Sequence, residues 1–439
     1  MVEKFDVVVV GAGPAGVASA IVTARAGMNV LLIERGDFAG SKNMFGGIVF
    51  RRVIEDLVGP NWWVTPPGQP PQVERHIIEY QYWFLSRDAH LAIRHRNMKF
   101  DQDYNSFSAL RARFDKWFAK KAEEAGATLV TKTTAIEVLK QNGKVTGVKT
   151  DRGDVHADVV VAADGANSLL AKNAGLHPEI PPDKMAIAVK ETLALPRDKI
   201  DERFNLRGDQ GVAMTLLGPP MFGMSAGFLY TNKDTISFGF GVVMKDLVEG
   251  KNYKEHRALP NTILEQLKKH PSIKPLLEGA ATREYTAHMI PEGGYDSVPP
   301  LYTDRMVVVG DAAMLVNVIN WEGTNLAMTS GKLAGQAIVE AKKAGSFSAA
   351  NLSRYRYYLE QSYVLRDLKK YRNVPTFFGA NKQFFDVYPE ALNQAAYLWH
   401  LVDGEPKEKH VKEIKSEIWK RRSKIGMAKD LYGLWRNLL

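Results

Sequence analysis

The sequence predicts an α/β protein: a discontinuous Rossmann-type nucleotide-binding domain with an inserted β-rich domain and a helical C-terminal region. A strand–helix–strand unit within residues 5–33 contains a glycine-rich turn. Further nucleotide-binding patterns lie near residues 164 and 311, and a β-rich block at about 185–245 separates them. From about residue 324 the pattern is helical. A β-rich block between parts of one binding site predicts an insertion.

The individual elements follow from local composition. Residues 5–10 are apolar enough for a buried parallel strand, 14–27 are rich in small residues typical of a closely packed helix, and 29–33 form the next strand. The other predicted elements are a proline-rich loop at 60–72, strand-like alternation at 74–96, a helix at 113–125, strands at 128–139 and 144–150 around an Asn142-Gly143 hairpin turn, and buried strands at 159–163 and 306–309.

Composition limits the class of protein. A chain of 439 residues is too long for one compact core, and its 45% apolar and 24% charged residues are usual for globular proteins. It has no run of eighteen apolar residues, so we expect no transmembrane helix. Because the fold begins at residue 5, we expect no cleaved signal peptide and a cytoplasmic location.

Cysteine and charge narrow the chemistry further. The chain has no cysteine, which excludes disulfides, thiol catalysis and an iron–sulfur cluster bound by its own thiolates. The net charge is +9, and residues 404–439 hold ten Lys or Arg against five Asp or Glu. Such a tail suits anionic lipid, nucleic acid or an acidic protein, and a solvated helix surface explains the charge equally well.

The glycine-rich turn has the order expected of a dinucleotide-binding fingerprint. Gly11 suits the tight turn, Gly13 allows the backbone to approach a pyrophosphate, and Gly16 allows close packing of helix on strand. The helix that follows presents backbone amides to phosphate charge. Glu34, at the end of the second strand, is placed to accept hydrogen bonds from the adenosine ribose. This arrangement predicts FAD or NAD.

Two later motifs favour FAD. Asp164-Gly165 closes a strand, although a simple hairpin turn explains it as well. Gly310-Asp311 ends another strand with a carboxylate suited to a ribityl hydroxyl. Together with the N-terminal fingerprint, they predict FAD as the cofactor.

The three motifs resemble those of flavoproteins that include aromatic hydroxylases and geranylgeranyl reductases. Four further stretches are similar to the FixC proteins and the electron-transfer flavoprotein:quinone oxidoreductases. They are Gly40-Ser-Lys-Asn-Met-Phe-Gly-Gly47, His270-Pro-Ser-Ile-Lys-Pro-Leu-Leu-Glu-Gly279, Pro291-Glu-Gly-Gly294 and Glu322-Gly-Thr-Asn-Leu-Ala-Met-Thr-Ser-Gly331. The Lys-Asn-x-x-Gly-Gly form favours the FixC branch.

The resemblance implies which positions hold FAD. We expect no covalent link, because the chain has no cysteine and no histidine adjoins the ring-contacting motifs, and no metal, because no ligand cluster stands out. For Arg111 the alternative is a surface helix arginine, and Gly323, Thr324 and Asn325 open a helix whose amides suit negative charge on the reduced flavin ring. The full predicted set is Gly11, Gly13, Pro14, Ala15, Gly16, Glu34, Arg35, Lys42, Asn43, Gly46, Gly47, Arg111, Asp164, Gly310, Asp311, Gly323, Thr324 and Asn325.

The predicted domains follow from the same motifs. The FAD-binding domain takes in residues 1–73, 97–175 and 296–345, and the β-rich quinone or substrate domain 74–96 and 176–295. Residues 346–439 form a helical region for partner or membrane docking.

The resemblance implies electron transfer from the alpha and beta subunits of an electron-transfer flavoprotein to a quinone, either menaquinone or ubiquinone. Transfer is direct or passes through a small ferredoxin-like iron–sulfur protein of the FixX type, which this cysteine-free chain needs for a cluster. The setting is either a simple relay or an NADH-oxidising, electron-bifurcating complex. The alternatives are a geranylgeranyl reductase-type or hydroxylase-type enzyme and a non-catalytic docking subunit.

A quinone reductase has to reach the bilayer, so we expect peripheral attachment at the inner face of the cell membrane and no nucleic-acid partner. One candidate is the apolar loop 218–224, for which a buried position is the alternative. The other is the tail, where basic residues interleave with apolar ones, although packing on the chain itself or on a partner explains this too. Its apolar residues are Val411, Ile414, Ile418, Trp419, Leu431, Leu434 and Trp435.

Overall fold

The computed structural model describes residues 4–42, 47–249, 259–319 and 322–438. The predicted site residues Asn43 and Gly46 lie outside the described residues. Two compact units form: unit 1 consists of Met1–Glu74, Asn105–Met185 and Met289–Arg372, and unit 2 of Arg75–Tyr104, Ala186–His288 and Asn373–Leu439. The helical residues after 345 therefore divide between the units at residue 372.

The described strands are β1 Lys4–Val10, β2 Val30–Ile33, β3 Ile48–Phe50, β4 His76–Leu85, β5 His90–Arg96, β6 Ser106–Ser108, β7 Thr128–Val130, β8 Ala135–Gln141, β9 Lys144–Thr150, β10 Gly153–Ala162, β11 Met185–Ala194, β12 Gln210–Leu217, β13 Ser225–Thr231, β14 Thr235–Val243, β15 Ala281–Pro291, β16 Tyr302–Thr303 and β17 Met306–Val308.

The described helices are α1 Pro14–Arg25, α2 Arg51–Val58, α3 Lys99–Gln102, α4 Arg111–Glu124, α5 Leu169–Ala174, α6 Arg197–Phe204, α7 Met244–Glu249, α8 Pro260–Lys269, α9 Lys274–Leu277, α10 Thr324–Lys343, α11 Ala349–Leu352, α12 Arg354–Gln361, α13 Tyr363–Lys370, α14 Val374–Ala380, α15 Val387–His400, α16 Lys407–Arg421 and α17 Lys424–Leu438. Short 3-10 turns occur at Pro182–Lys184, Tyr295–Ser297, Gly310–Ala313 and Lys382–Phe384.

Unit 1 is built on a mixed sheet in the order β16-β17-β10-β1-β2-β7, with β9 and β8 attached through β10. The pairs β1–β10, β1–β2, β10–β17 and β2–β7 are parallel. Residues 7–10 of β1 and 159–162 of β10 are fully or almost fully buried, as expected for central parallel strands. The predicted Rossmann-type fold is confirmed, and the carboxyl ends of β1, β10 and β17 meet at one edge.

Unit 2 is built on a sheet in the order β15-β11-β14-β13-β12-β4, with β5 on β4. Strands β11 to β14 pair antiparallel, whereas β12 and β4 are parallel. Phe238 and Phe240 of β14 pack with Leu264 of α8 in its buried core. On β4, Asn393 of α15 donates from Nδ2 to the Phe84 carbonyl at 2.7 Å. The predicted β-rich block and helical C-terminal region are therefore present.

None of the helices described here combines the length and apolar character required to traverse a lipid bilayer.

Candidate functional site

The turn after β1 brings backbone close to backbone. Gly11 has a φ of +104°, and a Cβ there would lie 2.2 Å from the Ala163 carbonyl oxygen, at the end of β10. Its amide donates to the Ile33 carbonyl oxygen at 2.8 Å. Because L-residues rarely adopt this φ and a Cβ would clash, glycine is required here. The turn therefore lies where β1, β2 and β10 end together.

Helix α1 begins as the fingerprint predicts. Gly13 precedes it in extended conformation and Pro14 occupies its first turn. No side chain in the described part of the chain caps this end by a hydrogen bond. A Cβ on Gly16 would lie 1.9 Å from the Gly11 carbonyl oxygen, so glycine is needed for the close turn. The first-turn amides thus form an end suited to phosphate.

Glu34 connects this turn to the loop after β2. Its Oε2 accepts from the Ala12 amide at 3.1 Å and its Oε1 from the Gly36 amide at 2.7 Å. Each carboxylate oxygen has a further lone pair, so these bonds leave capacity for ribose hydroxyls. The neighbouring Arg35 side chain is exposed. Glu34 therefore has a structural role that the sequence did not predict.

Two helices meet behind the turn without intervening side chains. A Cβ on Gly331 of α10 would lie 1.9 Å from the Ala15 carbonyl oxygen of α1, and one on Gly310 would lie 2.8 Å from the Ala15 Cβ. The Gly310 amide donates to Ser330 Oγ at 2.9 Å. The end of β17 is thereby fixed against the first turn of α1 and the second turn of α10.

Asp164 lies in the turn after β10. Its Oδ2 accepts from the Leu170 amide at 2.9 Å, whereas its Oδ1 is buried with no partner among the described residues. Burial raises the pKa of this carboxyl. Ser168 donates to the Ala312 carbonyl oxygen at 2.8 Å and so joins this turn to the Gly310–Ala313 turn. The structure thus brings the two predicted aspartate motifs together.

Arg111 is buried rather than a surface arginine. Only 8% of it is exposed, and its Nε and Nη2 donate to the Asp115 carboxylate at 2.7 and 2.8 Å. Burial lowers its pKa, but the Asp115 and Asp311 carboxylates outweigh this and raise it. Gly40 lies against the same helix, since a Cβ there would be 2.6 Å from the Arg111 carbonyl oxygen.

Asp311 is a second acid whose charge acts on this arginine. Residue Asp311 is partly accessible to solvent, although protein surrounds most of it. Burial raises its pKa to about 6, and the Arg111 charge opposes that rise. Asp311 therefore combines the accessibility and the electrostatic setting of a ligand-binding carboxyl.

The N-terminus of α10 is the second helix end at the site. Thr324 and Asn325 are buried in its first turn, and Gly323 precedes it, as predicted. Asn325 Nδ2 donates to Glu322 Oε2 at 2.9 Å, but its Oδ1 is buried without a partner among the described residues. The helix is 20 residues long. The positive end of its dipole lies at this terminus, so negative charge is favoured there.

The loop before β3 supplies the remaining predicted residues. Lys42 is exposed, whereas Gly47 is buried and accepts from the Ala109 amide at 2.8 Å through its carbonyl. Gly47 is thus fixed just ahead of α4.

Glu292 is a buried acid in unit 1 to which the sequence assigned no role. It is 7% exposed, and its Oε2 has no partner within the described part of the chain. Burial raises its pKa to about 8. Its amide donates to the Lys184 carbonyl oxygen at 2.8 Å. In the sequence, Glu292 lies in the stretch Pro291–Gly294, and the family resemblance of that stretch was the signal that could have pointed to it.

This arrangement fits a dinucleotide such as FAD. Close backbone approach at Gly11 and the open end of α1 suit a pyrophosphate. Buried oxygens of Asp164 and Asn325 that lack partners in the described residues provide acceptor capacity for a polar ligand. Asp311 and the end of α10 add an acid and a positive dipole end beside them.

The chain matches three sequence families. Residues 6–205 and 106–340 each match a family described as FAD dependent oxidoreductase. Residues 374–439 match the ETF-QO/FixC family C-terminal domain.

Curated relatives match almost the whole chain. Protein FixC of Azorhizobium caulinodans is 43% identical over 437 residues, which cover 98% of each chain. Protein FixC of Azotobacter vinelandii is 43% identical over 441 residues, covering 99% of each. The probable electron transfer flavoprotein-quinone oxidoreductase YdiS of Escherichia coli K12 is 36% identical over 429 residues, covering 97% of this chain and 96% of YdiS.

Solved structures share the fold. A geranylgeranyl bacteriochlorophyll reductase-like protein from Thermoplasma acidophilum superposes with a TM-score of 0.71 at 19% identity and covers 100% of this chain and 97% of that chain. The flavin-dependent brominase Bmp2 gives a TM-score of 0.63 at 20% identity, covering 95% of this chain and 100% of that chain.

Proposed function

Because the chain belongs to the FixC/electron-transfer flavoprotein-quinone oxidoreductase family of FAD-dependent oxidoreductases, we propose that it carries electrons from an electron-transfer flavoprotein to a membrane quinone. The observation that carries this proposal is likeness along nearly the full chain: 43% identity to a FixC protein across 98% of both sequences. The relative named as a probable flavoprotein-quinone oxidoreductase supplies the donor and acceptor classes.

Unit 1 is the proposed cofactor unit. FAD supplies the redox chemistry, since it exchanges one or two electrons at a time. The amides of Gly13, Ala15 and Gly16 would bind its pyrophosphate, and Glu34 would accept from its ribose while fixing the turn through Ala12. Asp311 binds a ribityl hydroxyl.

Gly323–Asn325 form the positive end of α10, which would stabilise negative charge on the reduced flavin ring. Asp115 holds the Arg111 side chain in place, and the Gly40 backbone lies against this pair. Arg35, Lys42 and Gly47 complete the proposed site with Asp164 and the unit's other predicted residues.

Further subunits complete the proposed system. The alpha and beta subunits of an electron-transfer flavoprotein are the donors. Because the chain contains no cysteine, any cluster on the route belongs to a separate FixX-type ferredoxin-like protein. Both a simple relay and an electron-bifurcating complex use the chain in this way.

The C-terminal helix α17 supports attachment to the inner face of the membrane. Gly426 and Asp430 face inward, whereas Ile425, Tyr432 and Trp435 are 72%, 59% and 62% exposed. At helical spacing these three share one face, and tyrosine and tryptophan favour the interface between headgroups and acyl chains. Basic residues 424, 429 and 436 of the same helix suit anionic headgroups.

The loop 218–224 contributes less to that attachment. Met221 is buried in the core of unit 2, and Phe222 packs against the same core. The buried alternative for this loop therefore has the stronger support.

The function is tested with the FAD-loaded chain, a reduced electron-transfer flavoprotein and short-chain ubiquinone or menaquinone. We expect quinone reduction that requires this chain, with iron in the native complex and none in the isolated chain. A variant of the proposed FAD site, Asp311→Asn, should load less FAD and lose rate in proportion. Reduced flavoprotein that passes no electrons to the chain, or a fully active native complex without iron, contradicts the respective part of the proposal.

A further inference from the structure

Helix α4 carries positive charge along its outer side. Arg113, Lys116 and Lys120 are exposed there, whereas Phe114 and Phe118 are buried on the opposite side. The exposed positions recur at spacings of three and four residues, so they share one side of a helix with 3.6 residues per turn. We call this side the basic face of α4, and it consists of Arg113, Lys116, Trp117, Lys120 and Lys121.

Neighbouring acids balance only part of the charge on the basic face. Lys121 pairs with Glu124 at 2.7 Å, and Arg113 pairs with an acid outside the helix at 3.0 Å. Among the described residues, neither Lys116 nor Lys120 takes part in an ion pair. These two lysines are four residues apart, and like charges at that spacing repel, so helix stability does not account for them. Their charge can instead attract a partner.

The basic face lies beside elements of the proposed FAD site. Helix α4 begins at Arg111, and a Cβ on Gly40 would lie 2.6 Å from the Arg111 carbonyl oxygen. Lys116 Nζ lies 5.6 Å from the ring centre of Phe38, which belongs to the same loop as Gly40. The loop 35–42 also has an exposed cation at each end. A continuous basic surface thus extends from this loop along α4.

Trp117 gives the basic face an aromatic side chain that is already held in place. Its ring is partly exposed, and its centre lies 5.6 Å from that of Trp62 and 6.1 Å from that of Phe118. Trp62 is itself buried and donates from Nε1 to the Arg51 carbonyl oxygen at 3.2 Å. An ordered ring loses little side-chain entropy on binding, and tryptophan is a common anchor of protein interfaces.

An acidic protein suits the basic face better than a lipid surface does. None of the described large apolar side chains that are strongly exposed lies on α4. A helix that lies in a membrane interface needs an apolar face besides its cations. A charged face without one instead favours a polar partner of opposite charge, whose approach it steers.

We propose that the basic face of α4 docks a small acidic iron–sulfur protein beside the FAD-binding unit. The proposal rests on the proposed function for the class of partner, since the chain has no cysteine with which to hold a cluster of its own. Helix α4 has 14 residues and is therefore roughly 21 Å long at 1.5 Å per residue. A face of this length matches the small contact areas of transient redox complexes.

The test measures the dissociation constant between the FAD-loaded full-length chain and the iron–sulfur protein isolated from the native complex, over a series of salt concentrations. One exposed ion pair changes a dissociation constant by about 1.4-fold to fivefold. The double variant Lys116→Gln and Lys120→Gln should therefore bind about two- to thirtyfold more weakly at low salt. Its binding should also depend less on salt than that of the wild type.

The matched control is the double variant Lys144→Gln and Lys149→Gln, which removes two exposed charges from β9 of the same unit. Equal melting temperature and FAD content in the two double variants show that both are folded. A carbodiimide, which joins a lysine amine to a carboxylate in contact with it, should link Lys116 or Lys120 to the iron–sulfur protein in the native complex.

Equal affinity of the two double variants for the iron–sulfur protein overturns the docking face, and so does a native complex that contains no such protein. Weaker binding to anionic liposomes or to the electron-transfer flavoprotein, with unchanged binding of the iron–sulfur protein, assigns the face to that other partner and overturns the proposal as well. If the chain binds the iron–sulfur protein through these lysines but reduces no quinone, the proposed function fails and the docking face stands.

Discussion

Replacement of Gly331 by alanine tests the close contact between α1 and α10. A Cβ at this position would lie 1.9 Å from the Ala15 carbonyl oxygen and 2.8 Å from its carbonyl carbon. Both are backbone atoms, so no side-chain rotation relieves the overlap and the helices have to separate. Ala15 belongs to the first turn of α1, so the displacement reaches the proposed pyrophosphate site.

The expected loss of stability is the difference of two effects. Overpacking of a buried site costs about 1–3 kcal/mol, and contact with backbone places Gly331→Ala at the upper end. Alanine in place of a helical glycine stabilises the helix by about 1 kcal/mol. The net effect is about 2 kcal/mol of destabilisation, which lowers the melting temperature by about 4–8 °C for a unit of roughly 150–250 residues.

Thermal unfolding and FAD titration by quenching of flavin fluorescence measure the two consequences. Gly379→Ala is the matched control, because this helical glycine has nothing within 4 Å of an added Cβ and gains only helix propensity. Gly331→Ala with wild-type melting temperature and FAD affinity would refute the reasoning from close helix contact.

Three further predictions concern the cofactor, pH and the membrane. Glu34→Ala should weaken FAD binding by about tenfold to a hundredfold, because a charged acceptor is lost and the Ala12 and Gly36 amides are released; unchanged affinity in a titration counts against this. Burial raises the pKa of Glu292 from 4.5 to about 8. The folded state then holds a proton that the unfolded state releases, so stability falls as pH rises through that window. Glu292→Gln should flatten this fall in melts at pH 5 and pH 8, and an identical slope would show that Glu292 is not its source. The complex should float with anionic liposomes at low salt and lose binding at high salt, and the Trp435→Ser variant should lose more of its binding. Absence of binding at every salt concentration rejects membrane attachment.

Local features of the sequence determined the framework of unit 1. The apolar strand at 5–10, the Gly11–Gly16 order and the Asn142-Gly143 turn each depend on neighbours in the chain, and the structure has β1, α1 and the β8–β9 hairpin at these places. The β-rich block was predicted less completely, because helix α6 lies within it. Ile200 and Phe204, four residues apart, give that helix its buried face, a signal that is short and weak.

The tertiary structure alone decided which groups from different elements contact one another. Whether Arg111 was exposed depended on the surrounding fold, which leaves only 8% of it accessible. Whether Met221 faced lipid or core depended on unit 2 packing around it. The Ala12 amide on Glu34 comes from a segment distant in sequence. The burial of Glu292 likewise depends on the fold around it. The physical reason is that backbone preference and hydrophobic period act within a few residues. Burial and pKa, by contrast, depend on all the atoms that the fold brings near a group.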